Sequence, residues 1–316
     1  MIRKKVLIFG ASGQIGRYCV RKFSKENYKV IAATRNKHQK AYLLKTQAPI
    51  GYLDIEETNI FDQSKLEELI IKSDICINLV GILFEKGKKN TFKNIHTIFP
   101  KILSSICAKN NKKFIHISAL GLDKVKNSKY ALSKINGEIE IKKNLPNAVI
   151  LKPSIVYSVD DKFTTKFMSI LNLLPIFPLY YNGNTKFTPV HATDVSDIIF
   201  NIVDKEIHSK DIEAIGPEIF TFKEILEKLL KSINKKRLLI PLPLFFARIS
   251  ASILQLFPSP LITLDQLNLL KYDNIKTENG ITNYDINLPS KIYFEKGINE
   301  YAYNWREGGK FSIKEN

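Results

Sequence analysis

Apolar positions in the first half of the chain fall into short runs, separated by stretches with one apolar face. Lys5–Phe9 reads as a short buried strand. Gln14–Lys25 places Ile15, Cys19, Val20 and Phe23 at helical spacing, and Lys29–Ala33 is a second apolar run. Ser64-Lys65-Leu66-Glu67 has the Ser-x-x-Glu form of a capping box and predicts a helix from that point. Asp74–Val80 is another strand, Thr91–Lys109 a long helix, and Lys113–Ser118 a further strand. A helix from about Ser128 to Lys143 and a strand at Ala148–Leu151 close the series. Strands that alternate with helices imply right-handed crossovers and a parallel sheet covered on both faces.

The second half is less regular. Prolines gather at Pro153, Pro175, Pro178, Pro189 and Pro217, and the capping box Thr221-Phe222-Lys223-Glu224 starts a helix that runs to about Ile233. The predicted architecture is α/β: a doubly wound Rossmann-type sheet over residues 1–155, with a smaller C-terminal lobe over 156–316 partly interleaved with it. From Leu238 to Leu264 only Arg248 is charged until the final residues. Prolines 241, 243, 258 and 260 confine any helix there to Leu244–Phe257, which is too short to span a bilayer. Such a helix lies either in a membrane interface, against a partner, or buried in the lobe.

Length and composition add bounds. The chain of 316 residues suggests about two domains or one with an appended lobe, and 44% hydrophobic with 25% charged residues is ordinary for a globular protein. The net charge of +17 favours anionic partners, but the lysines are spread along the whole chain, as a general compositional bias would also leave them. The densest stretches, Lys109–Lys113 and Ser232–Arg237, read as exposed helix ends. No DNA-binding element accompanies the charge, so nucleic acid is not an expected partner and a ligand-sensing DNA-binding regulator is disfavoured. Cys19, Cys76 and Cys107 lack metal-type spacing and sit in apolar stretches, as buried thiols in a reducing compartment do, and no metal site is expected. The run Val6–Phe9 is too short for a signal peptide and leads directly into glycines.

Those glycines carry the first functional expectation. Gly10-Ala11-Ser12-Gly13-Gln14-Ile15-Gly16 follows a strand and opens a helix, the context in which this spacing cradles a dinucleotide pyrophosphate. The second strand ends in Thr34-Arg35 where an NAD-binding chain usually has a carboxylate. The Arg35 guanidinium can clamp a 2′-phosphate, so the expected cofactor is NADPH or NADP, with Arg17 as a possible helper. Asn59, Ile60 and Asp62 are placed to cover the adenine. Asn78 ends its strand either beside the cofactor or as a satisfied polar group. Val80, Gly81 and Ile82 follow it over the pyrophosphate or ribose, and Pro153, Ser154 and Ile155 line the nicotinamide.

Ser118, Tyr130 and Lys134 form the catalytic candidates. Tyr130 and Lys134 are at i and i+4 on one helix face. The ammonium would favour the phenolate and lower a phenol pKa of about 10, while Ser118 would hold a substrate oxygen. Alternatively, Tyr130 and Lys134 simply bind the cofactor ribose. His116 reads as core, Asp194 as a cap or core polar group near His191, and Tyr301, Tyr303 and Trp305 as surface anchors or packing on the lobe.

With these residues in place the chain resembles an atypical or extended short-chain dehydrogenase/reductase. Within that superfamily it is similar to the accessory subunits of respiratory complex I that share this fold. Ile77–Glu85, Ile115–Gly121 with Tyr130–Lys134, Leu151–Tyr157, Phe187–Val195 and Pro258–Asn274 carry the closer match, which covers most of the chain. The resemblance implies a tightly held, mainly structural NADPH and complex I subunits as partners. It implies a cytoplasmic location, peripheral on the inner face of the membrane, with the Leu238–Leu264 region facing membrane or partner. The alternative is a stand-alone NADP-dependent oxidoreductase or epimerase/dehydratase on a small substrate, quinone-related or other. Two positions depart from the pattern: His96 stands where many such enzymes have Asn, and Lys152 where Arg is usual.

Overall fold

The fold is that of a computed structural model, which describes residues 3–255, 260 and 262–311. Leu256, Phe257, Pro258, Ser259 and Leu261 of the expected apolar segment lie outside the described residues.

The chain opens with β1 (Lys5–Phe9), α1 (Gln14–Lys25), β2 (Lys29–Thr34), α2 (Lys37–Lys45), β3 (Leu53–Glu57), α3 (Gln63–Ile71) and β4 (Ile75–Asn78). A π-type turn at Lys93–Ile98 runs into α4 (Phe99–Lys109), followed by β5 (Lys113–Ile117), α5 (Lys129–Asn144) and β6 (Val149–Pro153). The lobe and its returns comprise β7 (Val156–Tyr157), α6 (Thr164–Leu173), β8 (Ile176–Leu179), β9 (Lys186–Phe187), β10 (Val190–His191), α7 (Ala192–Asp204), β11 (Asp211–Ala214) and β12 (Phe220–Thr221). Then come α8 (Phe222–Ser232), β13 (Leu238–Pro241), α9 (Leu244–Leu254), α10 (Leu264–Leu269), β14 (Ile281–Thr282) and α11 (Phe294–Asn299).

Eight strands form one sheet in the order β14-β11-β6-β5-β4-β1-β2-β3, and all its pairings are parallel. The order reverses between β1 and β4, where such sheets leave a crevice at the strand C-termini. Two of the strands, β11 and β14, come from beyond residue 155. One apolar core joins α1 and α7 to one face of the sheet through Val20, Phe23, Ile198 and Ile202. Another joins α3, α4 and α5 to the opposite face through Leu66, Phe99, Leu103 and Ile141. A third, aromatic core holds the lobe around Tyr157, Phe222 and Phe294.

Several boundaries differ from the sequence reading for local reasons. Helix α3 is capped by Asp62, whose Oδ1 accepts from Lys65 N at 3.1 Å, so Ser64 lies inside the helix and no Ser64–Glu67 box forms. Glu67 pairs instead with Lys109 across to α4. Strand β4 stops at Asn78 because its side-chain Oδ1 takes the Val80 N–H and turns the chain. The expected single helix over Thr91–Lys109 contains the π-type turn before α4, and α5 crosses that turn at Gly137, where any Cβ would meet the His96 carbonyl. Tyr301 is buried and bonded to Thr164, and Trp305 donates to Ser169, so these tail aromatics pack on the lobe.

Candidate functional site

The loop between β1 and α1 has the geometry its glycines predict. Gly10 sits at φ +79°, and a Cβ there would press on the Leu79 carbonyl at 3.1 Å. At Gly16 a Cβ would fall 2.6 Å from the Ala11 carbonyl oxygen, so only glycine lets α1 start this close to β1. Gly13 is the N-cap of α1, extended at φ −77° and ψ 178°, with no side-chain cap and no acidic residue in the first turn. Ile15 packs on the core below. The helix therefore presents a positive N-terminus with unclaimed amides, and these residues fit the pyrophosphate of a dinucleotide. Ser12 lies 3.5 Å from Thr34 at the end of β2. The Gln14 side chain donates to Val156 O and Ser158 Oγ, which ties the loop to β7.

Arg35 is exposed at the end of β2 and donates from Nη1 to Asn90 Oδ1 at 3.0 Å. Arg17 is committed elsewhere, in an ion pair with Asp160 after β7, so the help expected from it at a 2′-phosphate is replaced by that contact. Asn59 uses its side chain to accept Phe61 N, Asp62 caps α3, and Ile60 is 8% exposed in the core. At this corner the side chains are thus structural, and a ligand would meet backbone.

Past the switch point the structure gathers Val80, Gly81, His96, Tyr130 and Lys134. His96 Nε2 accepts from Ile82 N at 3.1 Å, and its Nδ1 lies 3.0 Å from Ser133 Oγ. Ser133 donates its own proton to Tyr130 O, so the hydroxyl accepts from His96 and the imidazole carries its hydrogen on Nδ1. Burial, reinforced by nearby Lys134, holds the His96 pKa down to about 2, and the ring stays neutral. Both nitrogens are occupied, so His96 pins the Gly81–Ile82 backbone and has no free atom for a proton relay. A Cβ on Gly81 would lie 3.8 Å from His96 Nε2 and 3.9 Å from Lys134 Nζ. Below this loop Asn78 is fully buried between Val80 N and His116 Nδ1, as a satisfied strand-end amide. His116 is core, and its Nε2 has no partner among the described residues.

Tyr130 packs edge-on against His96 and Phe92, with ring centroids 5.2 and 5.8 Å apart, and Lys134 Nζ is 5.7 Å from its ring centre. Tyr130 and Lys134 therefore do share one face. The expectation that the ammonium draws the phenol toward phenolate is not met, because burial, with the Asp265 carboxylate, pushes its pKa up. Lys134 donates to Ile117 O at 3.3 Å, and burial lowers its pKa to about 8.

Ser118 goes elsewhere. Its hydroxyl donates to Glu138 Oε1 on α5, and Glu138 is itself ion-paired with Lys152 at 2.8 Å, which also meets Asp211 at 3.2 Å. The next residue, Ala119, packs in the small cluster with Tyr130, Leu122 and Tyr272. Of the two residues that follow β5, the one in the Tyr130 cluster is thus the alanine and not the serine. At the end of β6, Pro153 O accepts Leu120 N, Ser154 Oγ bonds Asn274, and Ile155 O accepts Val190 N, so this wall is built from backbone and the lobe. His191 caps α7, and Asp194 accepts from Lys291 N and Ile292 N.

A parallel sheet with a glycine cradle at its switch point defines a Rossmann-type dinucleotide-binding protein. More narrowly, the chain belongs to the NAD dependent epimerase/dehydratase family, whose model matches residues 6–216. It is 28% identical over 295 residues to NADH dehydrogenase (ubiquinone) 1 alpha subcomplex subunit 9, mitochondrial, of Dictyostelium discoideum, covering 92% of this chain and 82% of that protein. Its namesake in Arabidopsis thaliana is 27% identical over 318 residues, covering 96% of this chain and 78% of that protein. A ceramide reductase of Caulobacter vibrioides is 20% identical over 194 residues, 61% of this chain and 59% of that protein. Among solved structures, dTDP-glucose 4,6-dehydratase of Bacillus anthracis, in complex with NAD, superposes with TM-score 0.71 at 17% identity over 96% of both chains, which supports the fold.

The C-terminal lobe carries a second feature. Helix α9 buries Ala247 and Ala251 and turns Phe245 and Phe246 outward, 69% and 57% exposed, with Ile249 and Ile253 on the same outer surface. Among the described residues no helix is long and apolar enough to cross a membrane.

Proposed function

We propose that this chain is an NADP(H)-binding accessory or assembly subunit of respiratory complex I, in which the nucleotide is a structural cofactor. The observation that carries the reading is an intact cradle beside an incomplete acid–base set. The Gly10–Gly16 loop fits a pyrophosphate, whereas the Ser118 hydroxyl is given to Glu138 and both His96 nitrogens are occupied. The two relatives at 27–28% identity, both NADH dehydrogenase (ubiquinone) subunits by name, support the assignment to complex I.

In this reading the backbone at Gly10, Ser12, Gly13, Gln14, Ile15 and Gly16 holds the pyrophosphate, and Arg35 meets the 2′-phosphate. Asn59 and Ile60 border the adenine through their backbone. Val80 and Gly81 cover the middle of the molecule, Tyr130 and Lys134 bond the nicotinamide ribose, and Pro153 and Ile155 face the nicotinamide. The bound nicotinamide would supply a hydride donor or acceptor, and Tyr130 would be the nearest proton-bearing group. Helix α9 lies against the membrane surface or a membrane-bound subunit, which puts the protein peripherally on the cytoplasmic face. Exposed Phe245, Phe246, Ile249 and Ile253 support that placement, since isolated surfaces rarely keep so many large apolar groups together.

The competing reading is a stand-alone NADP-dependent oxidoreductase or epimerase/dehydratase. It is favoured by Tyr130 and Lys134 on one face and by the ceramide reductase relative. Gentle purification from native membranes separates the two. Co-migration with complex I, and a released nucleotide that no carbonyl, alcohol or quinone oxidises or reduces, is the expected result. A freely exchanging cofactor with turnover that depends on Tyr130 overturns it.

A further inference from the structure

The chain between β4 and the π-type turn forms a small hairpin that the glycine motif and the strand pattern do not require. Lys86 and Asn90 pair as an antiparallel bridge, with Lys86 N donating to Asn90 O at 3.0 Å around Gly87 at φ +67°. The hairpin is fastened at its base: Phe92 N donates to Glu85 Oε1 at 2.7 Å, and Asn94 Nδ2 to Lys89 O at 3.0 Å. Its free end carries Lys86, Lys88 and Lys89, all exposed and without an ion pair among the described residues.

The hairpin leaves the end of β4, yet its Asn90 binds Arg35 at the end of β2. In the sheet β1 lies between those two strands, so the Arg35–Asn90 bond spans the C-terminal end of β1, where the glycine loop begins. Helix α2 starts at the same corner, with Asn36 at its N-cap donating its side chain to Gln39 Oε1 rather than capping the helix amides, and with no acidic residue in its first turn. The carboxylates nearby are engaged: Glu57 accepts Lys37 N at 2.9 Å, and Glu85 holds the hairpin base. The Arg35–Asn90 bond thus joins one exposed arginine at the end of β2 to a strap that crosses the crevice and carries three exposed lysines.

We propose that hairpin 85–90 is the second jaw of a phosphate clamp, in which Asn90 positions Arg35 and Lys86, Lys88 and Lys89 select a ribose 2′-phosphate. This rests on the NADP(H) reading above and adds the element that enforces it. A guanidinium provides directional bidentate bonds, and flexible ammonium groups add charge without fixed geometry. The discrimination against NADH should therefore be shared between a directional contact from β2 and a salt-sensitive one from the hairpin.

The test is titration of full-length protein with NADPH and with NADH at low and high salt. The probes are wild type, Lys86→Gln/Lys88→Gln/Lys89→Gln, Asn90→Asp and Arg35→Ala. The triple variant should bind NADPH about tenfold more weakly and with a flatter salt dependence, while NADH changes less than about twofold. Asn90→Asp should also lose NADPH selectively, because a carboxylate would occupy Arg35 and repel the phosphate. If wild type and Arg35→Ala behave as an NADPH-selective pair but the lysine variant matches wild type, the clamp is overturned and the NADP(H) reading stands. If the variant loses both nucleotides equally, the hairpin is a general cover and the clamp is again overturned. If wild type does not prefer NADPH, the NADP(H) reading falls and the clamp with it.

Discussion

Helices α1 and α9 both lie close to their neighbours through small residues, and they use that closeness in opposite ways. At α1, Gly16 lets the helix begin against the β1 loop, and Cys19, Val20 and Phe23 bury themselves behind it. At α9, Ala247 and Ala251 face inward, and the large side chains face out. Both segments carry large apolar residues at helical spacing, α1 among basic residues and α9 along an almost uncharged helix. The difference lies in which face is large. A helix whose large residues are inside is stabilised by the fold, and one whose large residues are outside contributes apolar surface to something else.

Substitution at Gly16 should give the largest effect. Gly16→Val forces branched carbon into the Gly10 and Ala11 carbonyls, and overpacking of this kind costs about 3 kcal/mol. Thermal unfolding should show that loss, and nucleotide titration should show binding weakened by more than about 100-fold, since the amides move with the backbone. Near-wild-type binding by this variant would break the α1 side of the comparison. On the α9 side the pattern should invert. Phe245→Ser/Phe246→Ser/Ile249→Ser should cost no more than about 1.5 kcal/mol of stability, about 0.5 kcal/mol for each, because about half or more of each side chain is already exposed. Association with complex I from native membranes should fall by at least about 100-fold, the rough value of one or two fully buried apolar side chains. A large drop in melting temperature with association intact would make α9 an ordinary part of the lobe.

The same contrast governs what could be read from the sequence. The β1–α1 unit was legible because each residue type there answers a local need: Gly10 a positive φ, Gly16 a close approach, Cys19 and Phe23 a helical face. Tyr130 and Lys134 were legible because i and i+4 share a face on any helix. Ser118 was not. Whether its hydroxyl meets Tyr130 or Glu138 depends on which face of β5 the last residue takes and on Lys152 and Asp211 from distant strands. The cap at Asp62 was missed because Ser64 offered an equally good local signal, and only the turn at Asn59 decides between them. His96 was recognised as a departure, but its work depends on Ser133 and Ile82, 37 and 14 residues away. Short-range rules carried the cradle, and long-range side-chain pairing carried the rest.

Lys134 tests the buried half of the site through pH. Its folded pKa is about 8 against an ordinary 10.5, so between these values the unfolded chain holds a proton that the folded chain has released. Stability therefore rises with pH across that window, and below it the charged form is penalised by up to about 3 kcal/mol. Lys134→Met should remove this slope from denaturant-unfolding curves of the nucleotide-free protein measured between pH 8 and 10.5. Lys113, also lowered to about 8, contributes equally to both proteins and cancels in the difference. Parallel stability curves for wild type and variant would mean that Lys134 is solvated, and its burial beside Gly81 and His96 would be wrong.

The smallest expected effect separates the two functional readings most sharply. Tyr130 contributes its ring to packing against Phe92 and His96, and its hydroxyl makes no hydrogen bond among the described residues. Tyr130→Phe keeps the ring and removes only that hydroxyl. A structural cofactor would lose one ribose hydrogen bond, about 1 kcal/mol or less than tenfold in NADPH affinity, with folding unchanged. A general acid would lose turnover by about 100-fold or more on whatever substrate it serves, with affinity barely altered. Because the Ser118 hydroxyl is held by Glu138 and burial holds the phenol protonated, the first outcome is expected. The second would mean that substrate entry rebuilds the acid–base set, with Ser118 released from Glu138.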